Sequence, residues 1–120
     1  MLPHKPDEWP TLFEKHIAAG DLDAATVLYA ADASFVSPKS GEVIKGRDAI
    51  RAVLSGLIEG KTRLRGRVVK TVVAGDVAVL YTDWQITTAD GEEHSHAIEV
   101  LRRQPDGTWL LAIGDPNGCG

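Results

Sequence analysis

Between Glu92 and Val100 the sequence reads EEHSHAIEV, with two histidines two positions apart and three carboxylates within eight residues. Residues of these types hold metals or move protons: neutral imidazoles ligate zinc and similar ions, and a carboxyl group beside a histidine makes an acid/base pair. Whether they act together depends on the element that carries them. A strand sends successive side chains to opposite faces, whereas a helix groups them by threes and fours.

The surrounding pattern is that of strands. From Thr62 onward the chain carries β-type runs around VVKTVV, VAVLYTDWQIT, SHAIEVLRR and WLLAI, separated by Ala74-Gly75-Asp76, Asp90-Gly91 and Asp106-Gly107. These separators are hairpin signals because their residues tolerate positive φ. The N-terminal half is helical. Trp9, Leu12, Phe13, His16 and Ile17 share one helical stripe that Gly20 stops, and Asp21 is suited to cap a second helix with Leu22, Ala25, Leu28 and Tyr29 in its stripe. Ala33 to Ser37 is a brief strand ended by Pro38, and PKSGEVIKG is a turn-rich connection. A third helix carries Ile50, Val53, Leu54, Leu57 and Ile58 and ends at Gly60. Three helices followed by a strand meander make an α+β layout, and the chain of 120 residues is long enough for one domain, 1–120.

Counting outward from an Asp90-Gly91 turn pairs Ala89 with Glu92, Thr87 with His94, Gln85 with His96 and Trp84 with Ala97. One face then carries Leu80, Thr82, Trp84 and Ile86 with Ser95, Ala97, Glu99 and Leu101. The other carries Tyr81, Asp83, Gln85 and Thr87 with His94, His96, Ile98 and Val100. The same count at Asp106-Gly107 pairs Leu101 with Ala112 and Val100 with Ile113, adding Leu110 and Ala112 to the first face and Trp109, Leu111 and Ile113 to the second. A one-residue bulge would reverse each assignment.

On this register Glu99 lies apart from the histidines, on the face the helices cover. Burial there would raise its pKa and make it a proton donor or a base poised nearer neutrality. The alternative is a structural acid, bonded to a backbone N–H or paired with Arg63 or Arg65. His94 and His96 share a strand face, where Asp83 and Gln85 could add oxygen ligands. No third histidine is assured there, since His16 sits on a helix across the sheet, so no metal site is expected. The apolar part of the second face points to a symmetric partner: a homodimer through the sheet.

Composition removes other classes. The 13 basic against 17 acidic residues give net charge −4, without the basic footprint that nucleic acids require. The first ten residues lack a signal peptide's apolar stretch, and no run reaches the ~20 residues that span a bilayer, so a cytoplasmic protein without membrane contact is expected. Cys119, the single cysteine, excludes an internal disulfide and a thiolate cluster.

The stretch HIAAGDLDAATVLYAADASFVSPKSGEVIKGRDAIRAVL, together with LYTDW and IEVLRRQPDGTWLLAIGDPNG, resembles the nuclear transport factor 2-like superfamily, in particular its SnoaL-like and ketosteroid-isomerase-homologue branch. The resemblance rests on the patterns G-D-x-x-A, A-x-F-x-x-P, G-R-x-A-I and R-x-P-D-G-x-W and covers roughly Trp9 to Gly118. It implies a cone-shaped, curved antiparallel sheet wrapped around three N-terminal helices, an apolar pocket at the open end, and a dimer through the sheet. Aligned with the ketosteroid isomerases of that superfamily, Glu99 falls at the buried acid, Phe13 at the helical tyrosine and Ser37 at the proton-moving aspartate. Ser37 is no base at neutral pH and Phe13 has no proton to donate, so steroid isomerisation by that mechanism is not expected.

The expectation is a protein that binds a small apolar ligand without a cofactor, with Glu99 as the one catalytic candidate. Phe13, Ile17, Phe35, Ser37, Leu54, Thr82, Trp84, Ala97 and Ala112 are its candidate pocket residues; the apolar ones equally suit a plain core. The activity would be of isomerase, cyclase or lyase type on a small carbonyl compound. The alternative is a ligand-binding or dimerisation module without chemistry.

Overall fold

Helices form where the apolar spacing places them. In the computed structural model, which describes residues 1–118, a short 3-10 turn (Pro6–Glu8) leads into α1 (Trp9–Ala18), followed by α2 (Leu22–Thr26) and, later, α3 (Arg47–Glu59). Cys119 lies outside the described residues. Trp9, Phe13 and Ile17 of α1 and Ile50 and Leu54 of α3 point into the core. The Asp21 carboxylate caps α2 by accepting from the Ala24 N–H at 3.1 Å.

The second helix is shorter than its stripe suggested. Leu28 and Tyr29 leave it, and Tyr29 opens strand β1 (Tyr29–Val36). Long-range bonds override the local pattern there. The Leu28 carbonyl accepts from the Trp9 indole and from the Leu111 N–H, each at 2.9 Å, and the Arg47 guanidinium donates to the Tyr29 carbonyl at 2.6 Å.

The connection after β1 contains a further strand, β2 (Val43–Lys45), and the meander consists of β3 (Arg63–Ala74), β4 (Val77–Thr88), β5 (Gly91–Arg103) and β6 (Trp109–Asp115). The six strands form one sheet in the order β2-β1-β6-β5-β4-β3, which curls as a cone around the helices. Neighbours are antiparallel except β1 and β6, which run parallel. A parallel pair needs a long crossover rather than a hairpin, and here the whole of β2 to β5 serves as that crossover.

Two bulges set the faces. Val68 pairs with Thr82 and Lys70 with Tyr81, leaving Val69 extra; Val100 pairs with Ile113 and Leu101 with Leu111, leaving Ala112 extra. The second bulge corrects the sequence register. Leu101 faces Leu111, so Leu111 (2% exposed) joins the inner face and Trp109 is buried too, while Ile113 stays outside at 48%. The outer face therefore keeps an apolar band without Trp109 and Leu111: Val72, Val79, Val100 and Ile113 in one row, with Val77 on one side of it and Tyr81 and Ile98 on the other.

The helices α1 and α3 end on the same Schellman motif. Asp21 N–H bonds the His16 carbonyl and Gly20 N–H that of Ile17; Thr62 N–H bonds the Leu57 carbonyl and Lys61 N–H that of Ile58, all at 3.0 Å. Each motif needs one left-handed residue. At α1 it is Gly20 (φ 69°), but at α3 it is Lys61 (φ 52°), the one non-glycine residue with positive φ among the described residues. A side chain in that conformation costs roughly 1–2 kcal/mol.

Candidate functional site

Glu99 sits on the inner face of β5, directly opposite Leu80 of β4, with Thr82 facing Ala97 and Trp84 facing Ser95 as the next pairs along that face. The hairpin turns one residue earlier than Asp90-Gly91 suggested, with Thr88 opposite Gly91, so every partner shifts by two. A shift of two preserves alternation, and the two faces keep their membership. Glu99 is thus separated from both histidines and is only 5% exposed.

The carboxyl reaches back along the ladder rather than across it. Thr82 donates its hydroxyl to Glu99 Oε1 at 2.8 Å, and Trp84 donates its indole N–H to Oε2 at 2.9 Å. Neither partner is a backbone N–H or an arginine. Burial pushes the Glu99 pKa up, while the bonds from Thr82 and Trp84 pull it down without cancelling the shift. An indole N–H can only donate, so Oε2 accepts in either protonation state. A hydroxyl can donate or accept, so a proton carried by neutral Glu99 belongs on Oε1, where Thr82 can receive it.

An aromatic group covers the acid. Phe13 stacks on Trp9 with centroids 4.9 Å apart and meets Trp84 edge-on at 6.1 Å, and Tyr29 stands at right angles to both Trp9 and Phe13. Tyr29 lies close enough for the Glu99 charge to act on it; burial first, and that charge second, raise its pKa. Trp84 is held from behind by Gly66, where a Cβ would lie 2.7 Å from the indole ring. The Gly66 N–H on edge strand β3 donates to the Glu14 carboxylate of α1 at 2.8 Å, tying helix to sheet beside Trp84.

Of the sequence-derived candidates, Thr82, Trp84 and Ala97 surround Glu99 on the ladder and Phe13 packs on Trp84. Ile17 and Leu54 are buried in the core on α1 and α3. Phe35 lies on the Glu99 row, opposite Gly114 of β6, which in turn faces Glu99; Ser37 follows the end of β1, where its N–H bonds the Glu42 carbonyl at 2.8 Å, and Ala112 is the bulge residue of β6. Two polar groups at the site were missed. Tyr29 was hidden by its place in a helical stripe, although YAADASFV also reads as a strand. Ser95 was placed on the right face, but its buried hydroxyl, which has no hydrogen-bond partner, carried no sequence signal.

Two grooves open nearby, and Glu99 lines neither. One, of about 830 Å³, runs between the ends of α1 and α3 and the start of β3, and includes Ile17; the other, of about 470 Å³, is walled by Gly66, Trp84, Arg65 and His94. On the outer face His96 Nδ1 stands 2.6 Å from Asp83 Oδ1, and Arg67 bonds the other oxygen at 3.0 Å. His94 faces Glu92 at 3.5 Å. The two histidines thus engage different carboxylates. No helix among the described residues is long and apolar enough to cross a membrane.

No protein of curated function matches the sequence. Among solved structures, a putative calcium/calmodulin-dependent protein kinase type II association domain from Thiobacillus denitrificans is similar at 21% identity and TM-score 0.75, with 97% of each chain covered. An NTF2-like protein with a cystatin-like fold from Novosphingobium aromaticivorans is 19% identical at TM-score 0.75, covering 90% of this chain and 75% of that one. A ketosteroid isomerase-like protein from Erwinia carotovora is 16% identical at TM-score 0.71, covering 91% and 89%. At these identities the likeness is one of fold. The SnoaL-like domain model matches residues 11–111, from within α1 to the first residues of β6. The chain belongs to the SnoaL-like domain family.

Proposed function

We propose that the protein binds a small, largely apolar carbonyl compound beneath the aromatic group on the inner face of the sheet, with Glu99 as its polar anchor. One observation carries this reading: a buried carboxyl whose partners are a hydroxyl and an indole N–H, with no cation paired to it among the described residues. A carboxyl whose pKa is raised by burial can, while it holds its proton, donate a hydrogen bond to a carbonyl oxygen. Trp84 bonds Glu99, so a ligand that reaches the carboxyl displaces its indole. Tyr29 and the unpartnered Ser95 hydroxyl are further polar contacts for the ligand.

The chemistry such an acid supplies is proton transfer to or from a carbonyl compound, the step common to isomerases, cyclases and lyases. A second reading, a binding or dimerisation module without chemistry, is favoured by the absence of a base at Ser37 and of a proton donor at Phe13, since acid/base catalysis usually uses two positioned groups. A homodimer belongs to both readings, supported by the outer row Val72, Val79, Val100 and Ile113. A cytoplasmic location is part of the same proposal, supported by a chain whose single cysteine leaves no internal disulfide.

The test is a fluorescence titration with 2-acetylnaphthalene against naphthalene. Saturable quenching of tryptophan emission by the ketone, weakened about tenfold in Glu99→Leu, is expected. Equal binding of both compounds, or binding indifferent to Glu99, would contradict the reading.

A further inference from the structure

The groove between α1, α3 and β3 is the most basic concave surface described here, on a chain whose net charge is −4. Lys61, Arg63 and Arg65 line it, and among the described residues none of the three joins an ion pair. Four of the five arginines elsewhere do, Arg51 with Asp23, Arg67 with Asp83, Arg102 with Asp32 and Arg103 with Asp76, and the fifth, Arg47, donates to the Tyr29 carbonyl. The one acid on the groove wall, Glu14, already accepts from the Gly66 N–H. Ile17, Ile58 and Leu64 give the groove apolar surface.

A second, independent observation concerns Lys61. The twin motif at α1 uses Gly20 for its left-handed residue, and the other positive-φ positions of the described chain are glycines as well. At α3 the same position carries a lysine that lines the groove. Backbone strain retained where glycine would relieve it is a mark of a functional position.

We infer that this groove binds a small amphipathic carboxylate, its head on Lys61, Arg63 and Arg65 and its tail on Ile17, Ile58 and Leu64. Guanidinium groups bind carboxylates and phosphates alike, so charge decides between them. Three cations, less Glu14 and about half a negative charge from each of two helix C-termini, leave about one positive charge, which balances a monoanion and not a dianion. The site is separate from Glu99, which does not line the groove, and stands or falls independently of it.

The test follows backbone amide resonances of the full chain by NMR during titration with octanoate, octanol or inorganic phosphate. Octanoate should shift Lys61 to Arg65 saturably and bind at least tenfold tighter than octanol, while phosphate leaves these resonances in place. In Lys61→Gly, which relieves the strain, the unfolding midpoint should rise while octanoate affinity falls several-fold; Arg63→Gln/Arg65→Gln, two exposed changes, should abolish binding. Octanol binding as tightly as octanoate, phosphate producing the same shifts, or Lys61→Gly binding unchanged would each overturn the proposal.

Discussion

Trp84 donates its indole N–H to Glu99 across the β4–β5 ladder at 2.9 Å, although the residue directly opposite Glu99 is Leu80. The bond is diagonal, and it depends on Trp84 lying flat along the sheet over Gly66.

Gly66→Ala tests that dependence. Its Cβ would stand 2.7 Å from Trp84 Cζ3 and 2.8 Å from Cη2, and a ring cannot yield as a flexible side chain does. Overpacking of this kind costs roughly 1–3 kcal/mol. The expected result in denaturant titration is a loss in that range, with the indole N–H resonance moved from its wild-type position.

Glu99→Leu should destabilise by roughly 1–3 kcal/mol, because it leaves the buried Thr82 hydroxyl and Trp84 indole N–H without a partner. The loss has a pH dependence. The folded pKa of Glu99 is raised, so between its ordinary value of 4.5 and that raised value the folded state binds more protons than the unfolded one. Wild-type stability contributed by Glu99 is greatest below this window and falls as pH rises through it. The deficit of Glu99→Leu should therefore shrink as pH rises from 4.5; a deficit that grows would contradict the sign.

Lys61→Gly should raise stability by about 1 kcal/mol, since glycine takes positive φ without a Cβ penalty. Chemical denaturation at constant m-value checks it.

On the outer face, the hydrogen bond from His96 is the largest cause holding the Asp83 pKa below its ordinary 3.8, ahead of Arg67. A carboxylate only accepts, so His96 Nδ1 carries the hydrogen. His96→Gln should move the Asp83 midpoint upward in an NMR titration, and Arg67→Ala should move it less.

Much of this was legible in the sequence because alternation is robust to even errors. The β4–β5 turn was misplaced by one residue, which shifted each partner by two and left Glu99 on the correct face. Odd errors are not forgiven. The bulge at Ala112 turned Trp109 and Leu111 inward, and nothing in WLLAIGD marks an extra residue, since apolar residues occupy both faces there. Tyr29 and the parallel β1–β6 pair were equally invisible, because contacts with Trp9, Arg47 and Leu111 decide them, from sequence positions far away. The two donors to Glu99 were named on its face, but the diagonal reach of the carboxyl is a matter of side-chain rotamers, which no periodicity encodes.

The most direct test of Glu99 as an enclosed, proton-retaining acid is a 13C NMR titration of its side-chain carboxyl in the wild-type chain and in Trp84→Phe. The account predicts a midpoint above 4.5 in the wild type and higher still in Trp84→Phe, where one bond that favours the charged form is lost. A wild-type midpoint at or below 4.5 would contradict it.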